Sequence, residues 1–430
     1  MSAAVAMALA ALLVAALAVI VLYLTRTTPI ERARWLDGEP QALEAGTDTF
    51  RDTVRVLAGT MIVPGHDLEV LANGDETYPR LWDDIGRARA LVTWQVFWVK
   101  PGQLADRALD ALSERARHGV RVLCLLDAFG SRGLPATFVE RLRAAGAEVA
   151  VFRPLTWRNL YKVQQRMHVR TVVVDGCVAY TGGFGIDDRW LGDGRVAGSW
   201  RDTNLRLTGP SVDALQATFA VNWAEATGDL ILGRTVYSTD RERPASDHRL
   251  AGVMQASPSL GSTTAERMFV LSILGARRRL YLTNAYFVPD ASLRRLLCSA
   301  ADRGVDVRVL TPGGNTDRRS AWLAARSHYE ELLRGGVRLY EYGPSMIHAK
   351  TLVVDGCWSC IGTVNFDNRS MKLNEEVAVL MDDAEVASRL EAHFLDDLTR
   401  SHEILIEDVE RRTLAARVAE HAARLVAPLL

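Results

Sequence analysis

Apolar and polar positions along the chain follow two alternating patterns that predict strands and helices in turn. The runs "LVTWQVFWV" (91–99) and "LYLTNAYFV" (280–288) are typical of buried strands. Each is followed by an amphipathic helix pattern that stops at a glycine, Gly119 in the first case and Gly304 in the second. This alternation predicts an α/β fold built from βαβ units, with a largely parallel sheet.

The same succession of elements occurs twice. After each helix comes a further apolar run, "VRVLCLLD" or "VDVRVLTP", and then a short amphipathic helix, a glycine and another strand. We therefore predict two pseudo-repeated α/β/α halves, residues 61–240 and 241–403, joined by the loop-forming stretch 236–262. If the halves face each other, equivalent strand ends meet in one cleft, so we expect the active site at their interface.

The first part of the chain is an apolar stretch without a charged side chain. Residues 1–25 are long enough to cross a bilayer as a helix. A signal peptide would have a basic start and a shorter apolar segment. We interpret residues 1–25 as a single transmembrane anchor and residues 26–60 as a linker. The basic residues after the span favour a cytoplasmic soluble body of a single-pass cell-membrane protein (Arg26, Arg32, Arg34).

The end of the chain, residues 404–430, is predicted to be an amphipathic helix. Leu414, Val418 and Leu425 recur at helical spacing opposite Arg and Glu residues. Packing against the body and lying on a membrane both fit this pattern.

Composition narrows the classes of function. The chain has 430 residues, of which 48% are hydrophobic and 24% charged, which is typical of a globular protein. Its formal net charge of -1 disfavours a nucleic-acid partner, which would require a basic surplus. The five cysteines are odd in number and scattered, so no disulfide framework is expected.

Two predicted strands begin with a histidine, carry a cation two positions later and end in an acid. The stretch "MHVRTVVVDG" contains the first set and "IHAKTLVVDG" the second (His168, Arg170, Asp175; His348, Lys350, Asp355). Side chains two positions apart in a strand share a face, so each histidine lies beside its cation. The cation can neutralise phosphate oxygens while the imidazole attacks phosphorus or protonates a leaving oxygen. Two such motifs supply a nucleophile and a general acid and base.

Small and polar residues follow each of these strands. Gly182 and Gly183 come after the first, and Gly362, Thr363 and Asn365 come after the second. Residues of this kind let the backbone come close to an anion and supply hydrogen-bond donors, so we expect them to support a phosphate site. Either histidine alone fits a structural position equally well. The repeated constellation favours a phosphodiesterase-type site that needs no metal ion or organic cofactor, since side chains supply the cations.

The repeated pattern HxKxxxxDxxxxxxGxxN resembles the signature of the phospholipase D superfamily. The second copy matches it, with Thr363 where serine is usual. The first copy has Arg170 in place of lysine and Gly185 in place of asparagine. Within the superfamily, "NAYFVPD", the "HAK" spelling and the terminal "RLVAPLL" resemble bacterial cardiolipin synthases. Arg170 keeps the charge and suits phosphate, whereas loss of an amide donor at Gly185 can cost roughly 10²–10³ in rate.

The resemblance implies the chemical roles of the motif residues. His168 would form a phosphohistidine, and His348 would protonate the departing alcohol and later act as the base. Arg170 and Lys350 would bind the phosphate oxygens.

The family also uses a downstream acid to orient each histidine. Asp202 follows the first motif and Glu376 follows the second, while Glu375 is disfavoured because it points to the other face of its strand. Asp175 and Asp355 resemble family residues that brace the local structure.

The implied function is that of a membrane-anchored phosphatidyltransferase that makes cardiolipin from two phosphatidylglycerol molecules. Its partners would be phosphatidylglycerol, other anionic phospholipids and the membrane, with no nucleic acid and no need to oligomerise. A phospholipase D that uses water or another alcohol, and a weakened lipid-binding homologue, are the alternatives. The basic, aromatic stretch 153–170 directly before the first motif fits either a solvated face or a lip for lipid headgroups.

Overall fold

The structure, a computed structural model, describes residues 5, 7–9, 11–16, 29–36, 43–156, 162, 164–237, 249–258 and 263–426. The fold is mixed α/β, with one large sheet of 15 strands and a separate sheet of two short strands. The strands in chain order are β1 (Val63–Ala72), β2 (Leu91–Val96), β3 (Arg121–Asp127), β4 (Glu148–Phe152), β5 (Arg170–Val174), β6 (Val178–Gly182), β7 (Trp200–Arg201), β8 (Thr203–Thr208), β9 (Arg249–Ala256), β10 (Arg279–Asn284), β11 (Asp306–Pro312), β12 (Arg338–Tyr342), β13 (Met346–Ile347), β14 (Lys350–Val354), β15 (Trp358–Gly362), β16 (Glu376–Asp382) and β17 (Ser401–Ile404). The helices are α1 (Asp48–Leu57), α2 (Asn73–Gly86), α3 (Gln103–Arg117), α4 (Ala136–Ala144), α5 (Ser211–Thr227), α6 (Thr264–Gly275), α7 (Ala291–Asp302), α8 (Arg319–Arg326), α9 (Tyr329–Arg334), α10 (Asn368–Lys372), α11 (Ala384–Leu398), α12 (Ile406–Glu410) and α13 (Leu414–Val426).

The large sheet combines two short parallel sets with a longer antiparallel middle. Its strand order is β17-β12-β11-β10-β14-β15-β16-β9-β1-β8-β6-β5-β2-β3-β4. Strands β2, β3 and β4 are parallel, as are β10, β11 and β12, and the other neighbours are antiparallel. The prediction of a largely parallel sheet is wrong. The motif strands β5 and β14 continue into β6 and β15 through tight turns, which can only join antiparallel strands.

The middle of the sheet joins the two parts of the chain. Strand β9 pairs with β16 on one side and with β1 on the other. The stretch 236–262 is therefore not simply the predicted loop, since β9 lies inside it and is a central strand. The loop formers on either side of β9 concealed its alternating pattern in the sequence.

Strands from the two parts of the chain also pack face to face. Strands β6 and β8 contact β15 and β16, and apolar side chains from all four lie in one buried cluster (Ala179, Leu205, Leu207, Ile361, Val377, Val379). Helices α5 and α11 contribute further apolar residues to this cluster. The packing brings the amino-terminal ends of β5 and β14 into one region of the molecule.

The predicted membrane anchor at the start of the chain is described only in part. Of residues 1–25, positions 5, 7–9 and 11–16 are described and helical, and the rest of the predicted anchor lies outside the described residues. In the described parts of the chain, no helix combines the length and the apolar character needed to cross a membrane.

The carboxyl-terminal helix α13 packs on the body partly through charged side chains. Glu420, which is 4% exposed, accepts hydrogen bonds from Arg326 and Arg412, and Ala423 lies in a core cluster. Leu414 and Val418, two of the apolar residues at helical spacing, are 78% and 60% exposed. These two side chains therefore do not pack on the body.

Candidate active site

Each motif histidine is fixed through its backbone by the other part of the chain. The N–H of His168 donates to the carbonyl of Glu375 at 3.0 Å, and the N–H of His348 donates to the carbonyl of Arg201 at 2.6 Å. The second contact extends the two-stranded sheet, in which β13 runs parallel to β7. The positions of both histidines therefore depend on the packing of the two parts of the chain against each other.

The first histidine lies between an acid and a cation. Nδ1 of His168 is 2.8 Å from Oε1 of Glu376, and Nη2 of Arg170 lies 3.1 Å from the other ring nitrogen, Nε2. Because a guanidinium only donates, this contact favours an unprotonated Nε2 with the ring hydrogen on Nδ1. Burial, reinforced by the charges of Arg170 and Lys350, lowers the pKa of His168 well below its ordinary value. A neutral imidazole that carries its lone pair on Nε2 is the form that a nucleophile needs, once the Arg170 contact gives way to substrate.

The acid beside His168 is held by several donors. Burial raises the pKa of Glu376 to about 8, although hydrogen bonds from neighbouring side chains oppose this shift. The hydroxyl of Thr363 donates to Oε2, and the amide of Asn374 donates to Oε1 at 3.3 Å. Thr363 therefore acts on the carboxylate that orients His168.

The second histidine, His348, also contacts an acid and a cation, and aromatic rings pack against it. Nδ1 of His348 is 3.2 Å from Oδ2 of Asp202, and Nζ of Lys350 lies 2.9 Å from Nδ1 and 3.0 Å from Nε2. The rings of Trp190 and Trp200 pack against the imidazole with centroids 5.2 and 5.0 Å away.

Burial governs the protonation of this second group. It lowers the pKa of His348 to about 3 and that of Lys350 to about 7. Burial alone would favour protonated Asp202, but the hydrogen bond with His348 and nearby positive charge lower its pKa.

The acids pair with the histidines crosswise. The sequence associated each acid with the histidine upstream of it, but Glu376 contacts His168 and Asp202 contacts His348. That association was wrong because strand ends that meet across the interface are closer than residues on neighbouring strands of one half. Glu375, disfavoured from its strand face, instead pairs with Arg153 at 3.0 Å.

Asp175 and Asp355 lie away from the histidines and hold turns. Both have positive φ and are followed by a glycine that also has positive φ, as in the tight turn that closes a hairpin. The carboxylate of Asp175 accepts three backbone N–H groups at the start of β2, and that of Asp355 accepts three at the start of β10. These contacts tie each motif hairpin to the neighbouring strand.

The motif glycines provide space for protein atoms. A Cβ at Gly183 would lie 2.2 Å from Oδ1 of Asp202, and one at Gly182 would lie 2.4 Å from the side chain of Asn204. A Cβ at Gly362 would lie 2.4 Å from the carbonyl of Val377. The expectation that these glycines admit a phosphate is thus corrected, because they admit an acid or a neighbouring strand.

The two copies differ where the pattern has asparagine. Asn365 lines the cavity, and its Oδ1 has no hydrogen-bond partner among the described residues. At the equivalent Gly185, a Cβ would lie 2.8 Å from the ring of Trp190. The indole N–H of Trp190 donates to Oδ2 of Asp202 at 2.7 Å. The absent amide therefore makes room for an indole that hydrogen-bonds to the acid of the His348 pair.

Both histidines open into one cavity of about 320 Å³. Its walls are largely aromatic and cationic (Phe97, Trp98, Trp190, Trp200, Tyr286, Arg170, Arg318). The sequence did not identify the aromatic residues as part of the site, because no motif marks them; only Tyr286 lay in a segment noted for its resemblance. Among the residues that the structure describes, no cluster of His, Cys, Asp and Glu could hold a metal ion.

The basic stretch before the first motif is largely engaged with the protein. Arg153 is buried and pairs with Glu225 and Glu375, and Lys162 also pairs with Glu225. Arg166 is 4% exposed and donates to the carbonyls of Arg153 and Lys162. These contacts fit neither a solvated face nor a headgroup lip for Arg153 and Arg166. The aromatic positions 157 and 161 of the stretch lie outside the described residues.

Comparisons with known proteins agree on fold and family. The family profile described as "Cardiolipin synthase, PLD-like domain" matches residues 270–398. Cardiolipin synthase A of Pseudomonas fluorescens (strain SBW25) is 32% identical over 94% of this chain and 84% of that protein. Cardiolipin synthase 2 of Bacillus anthracis is 34% identical over 85% of this chain and 71% of that protein.

Two solved structures are similar in fold alone. The phosphatidylserine synthase of Haemophilus influenzae Rd KW20 has a TM-score of 0.67 at 13% identity, covering 89% of this chain and 100% of that chain. The polyphosphate kinase of Porphyromonas gingivalis has a TM-score of 0.54 at 12% identity, covering 83% of this chain and 52% of that chain.

Proposed function

Because the chain belongs to the cardiolipin synthases of the phospholipase D superfamily, we propose that it joins two phosphatidylglycerol molecules through a phosphohistidine on His168. As a phosphatidyltransferase of that superfamily, it transfers a phosphatidyl group from one alcohol to another. The observation that carries the proposal is that His168 and His348 line one cavity, and that each is held between an acid and a cation.

In the first step, Nε2 of His168 attacks the phosphorus of the donor phosphatidylglycerol. A P–N bond forms, the P–O bond to glycerol breaks, and His348 gives its proton to the departing oxygen. Arg170 and Lys350 neutralise the non-bridging oxygens. Burial in the free enzyme holds the pKa of His348 at about 3. The bound phosphodiester places negative charge beside His348 and raises its pKa toward the protonated form that the step requires.

In the second step, a hydroxyl of the acceptor phosphatidylglycerol attacks the phosphohistidine. His348 takes the hydroxyl proton, the P–N bond breaks, and cardiolipin is released with His168 restored. The aromatic walls of the cavity limit the access of water, which would otherwise give phosphatidic acid.

The test uses purified protein in phosphatidylglycerol vesicles, with products identified by mass spectrometry. Wild type should give cardiolipin and glycerol, whereas His168→Ala and His348→Ala should each lose at least about 10³ in rate. The exposed His118, replaced by alanine, is the matched control. Phosphatidic acid without cardiolipin would indicate a hydrolase, and no product from wild type would indicate the weakened lipid-binding homologue.

The identity of the nucleophile is tested separately by acid quenching with labelled lipid. We expect a covalent phosphatidyl adduct on wild type and on His348→Ala, and none on His168→Ala. An adduct that survives His168→Ala but not His348→Ala would reverse the two roles.

We further propose that the two parts of the chain are pseudo-repeated halves and that residues 1–25 anchor the enzyme, with its body in the cytoplasm. The anchor would hold the cavity beside a bilayer pool of both substrates. Protein released from membranes by alkaline carbonate would contradict the anchor. Degradation of the body by protease added to intact spheroplasts would contradict the orientation.

A further inference from the structure

One arginine at the cavity forms no ion pair within the described part of the chain, although its charge interacts with that of Asp367, which lines the same cavity. Arg318 is half-buried and lies directly before helix α8. Its guanidinium makes no hydrogen bond or ion pair with any residue that the structure describes, and its Cζ lies 5.5 Å from the ring centroid of Tyr286. A guanidinium at the wall of a partly enclosed cavity is a ready-made anion site.

The other arginines of the cavity are already engaged. Arg189 is chelated by the carboxylate of Asp187, and Arg369 donates to the side chain and the carbonyl of Gln164. Arg166 donates to two backbone carbonyls, and Arg170 donates to the carbonyl and ring of His168. Among the cavity arginines outside the two motifs, Arg318 is therefore the one best able to bind an incoming anion.

Tyr286 links Arg318 to the reaction centre. Its ring centroid is 6.3 Å from that of His348, and its hydroxyl donates to both carboxylate oxygens of Asp317 at 2.9 Å. Asp317, which is next to Arg318 in sequence, is therefore engaged by the hydroxyl of Tyr286. The positive charge of Arg318 also contributes to the lowered pKa of His168, which places the guanidinium within electrostatic range of that histidine.

The proposed reaction brings two phosphates to the cavity, and only one of them is attacked. The donor phosphate is held between the histidines by Arg170 and Lys350. The acceptor keeps its own phosphate, which stays negatively charged and is separated from the attacking hydroxyl by the carbons of its glycerol headgroup. A further cation near the histidines, but not in contact with the donor phosphate, would hold the acceptor phosphate while the hydroxyl reaches the phosphohistidine.

We propose that Arg318 binds the phosphate of the acceptor phosphatidylglycerol, with Tyr286 as the wall between this subsite and His348. The inference rests on the proposed function and assigns its acceptor site. It also provides a basis for selecting a phospholipid acceptor, because water and simple alcohols carry no phosphate to occupy the subsite.

The test measures how one intermediate divides between two acceptors. Phosphatidylglycerol vesicles containing ethanol give cardiolipin and phosphatidylethanol from the same phosphatidyl-enzyme, so defects in the donor step cancel in their ratio. We expect Arg318→Gln to lower the cardiolipin-to-phosphatidylethanol ratio by roughly 10- to 100-fold, as loss of a charge-assisted hydrogen bond would. Arg318→Lys should keep an intermediate ratio, because it retains a charge but loses the fork.

The neighbouring Arg319 provides the matched control. It is exposed, does not line the cavity, and stacks its guanidinium over Trp322 at 5.6 Å. Arg319→Gln should keep the wild-type ratio, and phosphatidylethanol from each variant reports that it is folded. An unchanged ratio in Arg318→Gln, or a parallel loss of both products, would overturn the acceptor assignment. If wild type makes phosphatidylethanol but no cardiolipin, the proposed function itself fails.

Discussion

At the scale of single residues, the two motifs differ most in how firmly their cations hold a charge. Arg170 carries a guanidinium that stays protonated at all ordinary pH values. Lys350 is buried beside Arg170, and burial lowers the pKa of its amine to about 7. The free enzyme therefore loses one of the two charges that we propose to bind phosphate just above neutral pH.

Lys350→Arg is predicted to extend activity to higher pH. In wild type, kcat/KM for cardiolipin formation should fall above about pH 7, roughly tenfold per unit, because this parameter reports the free enzyme and the amine deprotonates there. The arginine variant should lack this decline and keep only the pH dependence that Glu376, with a pKa of about 8, imposes on both proteins, since its guanidinium does not titrate. Glu376 titrates in both proteins, so the difference isolates residue 350. Coincident alkaline limbs would exclude Lys350 as the titrating group.

Restoring the missing asparagine of the first motif is predicted to harm the enzyme. A Cβ at Gly185 would lie 2.8 Å from the ring of Trp190, whose indole hydrogen-bonds to Asp202. Gly185→Asn should lower the free energy of unfolding by about 1–3 kcal/mol and reduce kcat. Gly86→Ala, where a Cβ would meet nothing within 4 Å, is the control, measured by urea unfolding and turnover. Higher kcat in Gly185→Asn would mean that Trp190 does not fill the role of the amide.

The sequence allowed us to predict the histidines and cations of the site, but not the aromatic residues that line the cavity. His168, His348 and their cations follow from a spacing that only a strand gives. The partner of each acid does not follow from spacing, because it depends on how strands meet across the interface. Trp190 and Trp200 could not be predicted either, since aromatic residues beside a site have no spacing that separates them from the core.

At the scale of elements, strands β7 and β13 help to position His348 although each has only two residues. Strand β7 supplies the carbonyl that holds the backbone of His348, and its Arg201 side chain is buried against Asp397 of helix α11. The next residue along the chain, Asp202, orients the same histidine. The position of α11 is thus coupled to the geometry of the second motif.

Asp397→Ala is predicted to destabilise the protein and to displace His348. The Nε of Arg201 is 3.0 Å from both oxygens of Asp397, and both side chains are about 6% exposed. Removing the acid leaves a buried charge unpaired, which costs about 3–5 kcal/mol of unfolding free energy. The neighbouring Asp396→Ala removes solvent-accessible pairs with Arg195 and Arg400 and should cost about 1 kcal/mol or less. Equal unfolding midpoints for the two variants would contradict the role of β7.

Elements with strong periodicity were predicted well, and the order of strands was not. The helices that end near Gly119 and Gly304 form as expected, because an amphipathic face and a terminal glycine are local signals. Strand β9 was taken for part of a loop, and parallel pairing was overestimated. Both errors concern which strand lies beside which, and that depends on contacts between residues far apart in sequence.

At the scale of the whole molecule, each acid–histidine pair draws one member from each part of the chain. His168 comes with Glu376, and His348 comes with Asp202. Strands β1 and β9 make the two parts one continuous sheet, so the pairs form within a single chain. A second copy of the protein is not needed to complete either pair.

Mixing the two single-histidine variants is therefore predicted to restore no activity. His168→Ala and His348→Ala each lack one group of a site that forms within one chain, so a mixture contains no complete site. Cardiolipin formation by the mixture should equal the mean of the separate variants across a wide range of protein concentrations. Recovery that grows with concentration would show that two copies share a site. Each variant mixed with wild type controls for interference.

The crossed pairing also limits what half of this molecule could do. In a polypeptide with only one such half, the histidine and the acid would meet only when two identical copies faced each other. The site of that dimer would be two-fold symmetric, with two equivalent histidines. Covalent linkage removes that symmetry requirement. This chain departs from symmetry at several positions, with arginine, glycine and tryptophan on one side and lysine and asparagine on the other. Two unequal histidines are what a reaction with a distinct nucleophile and proton donor can use.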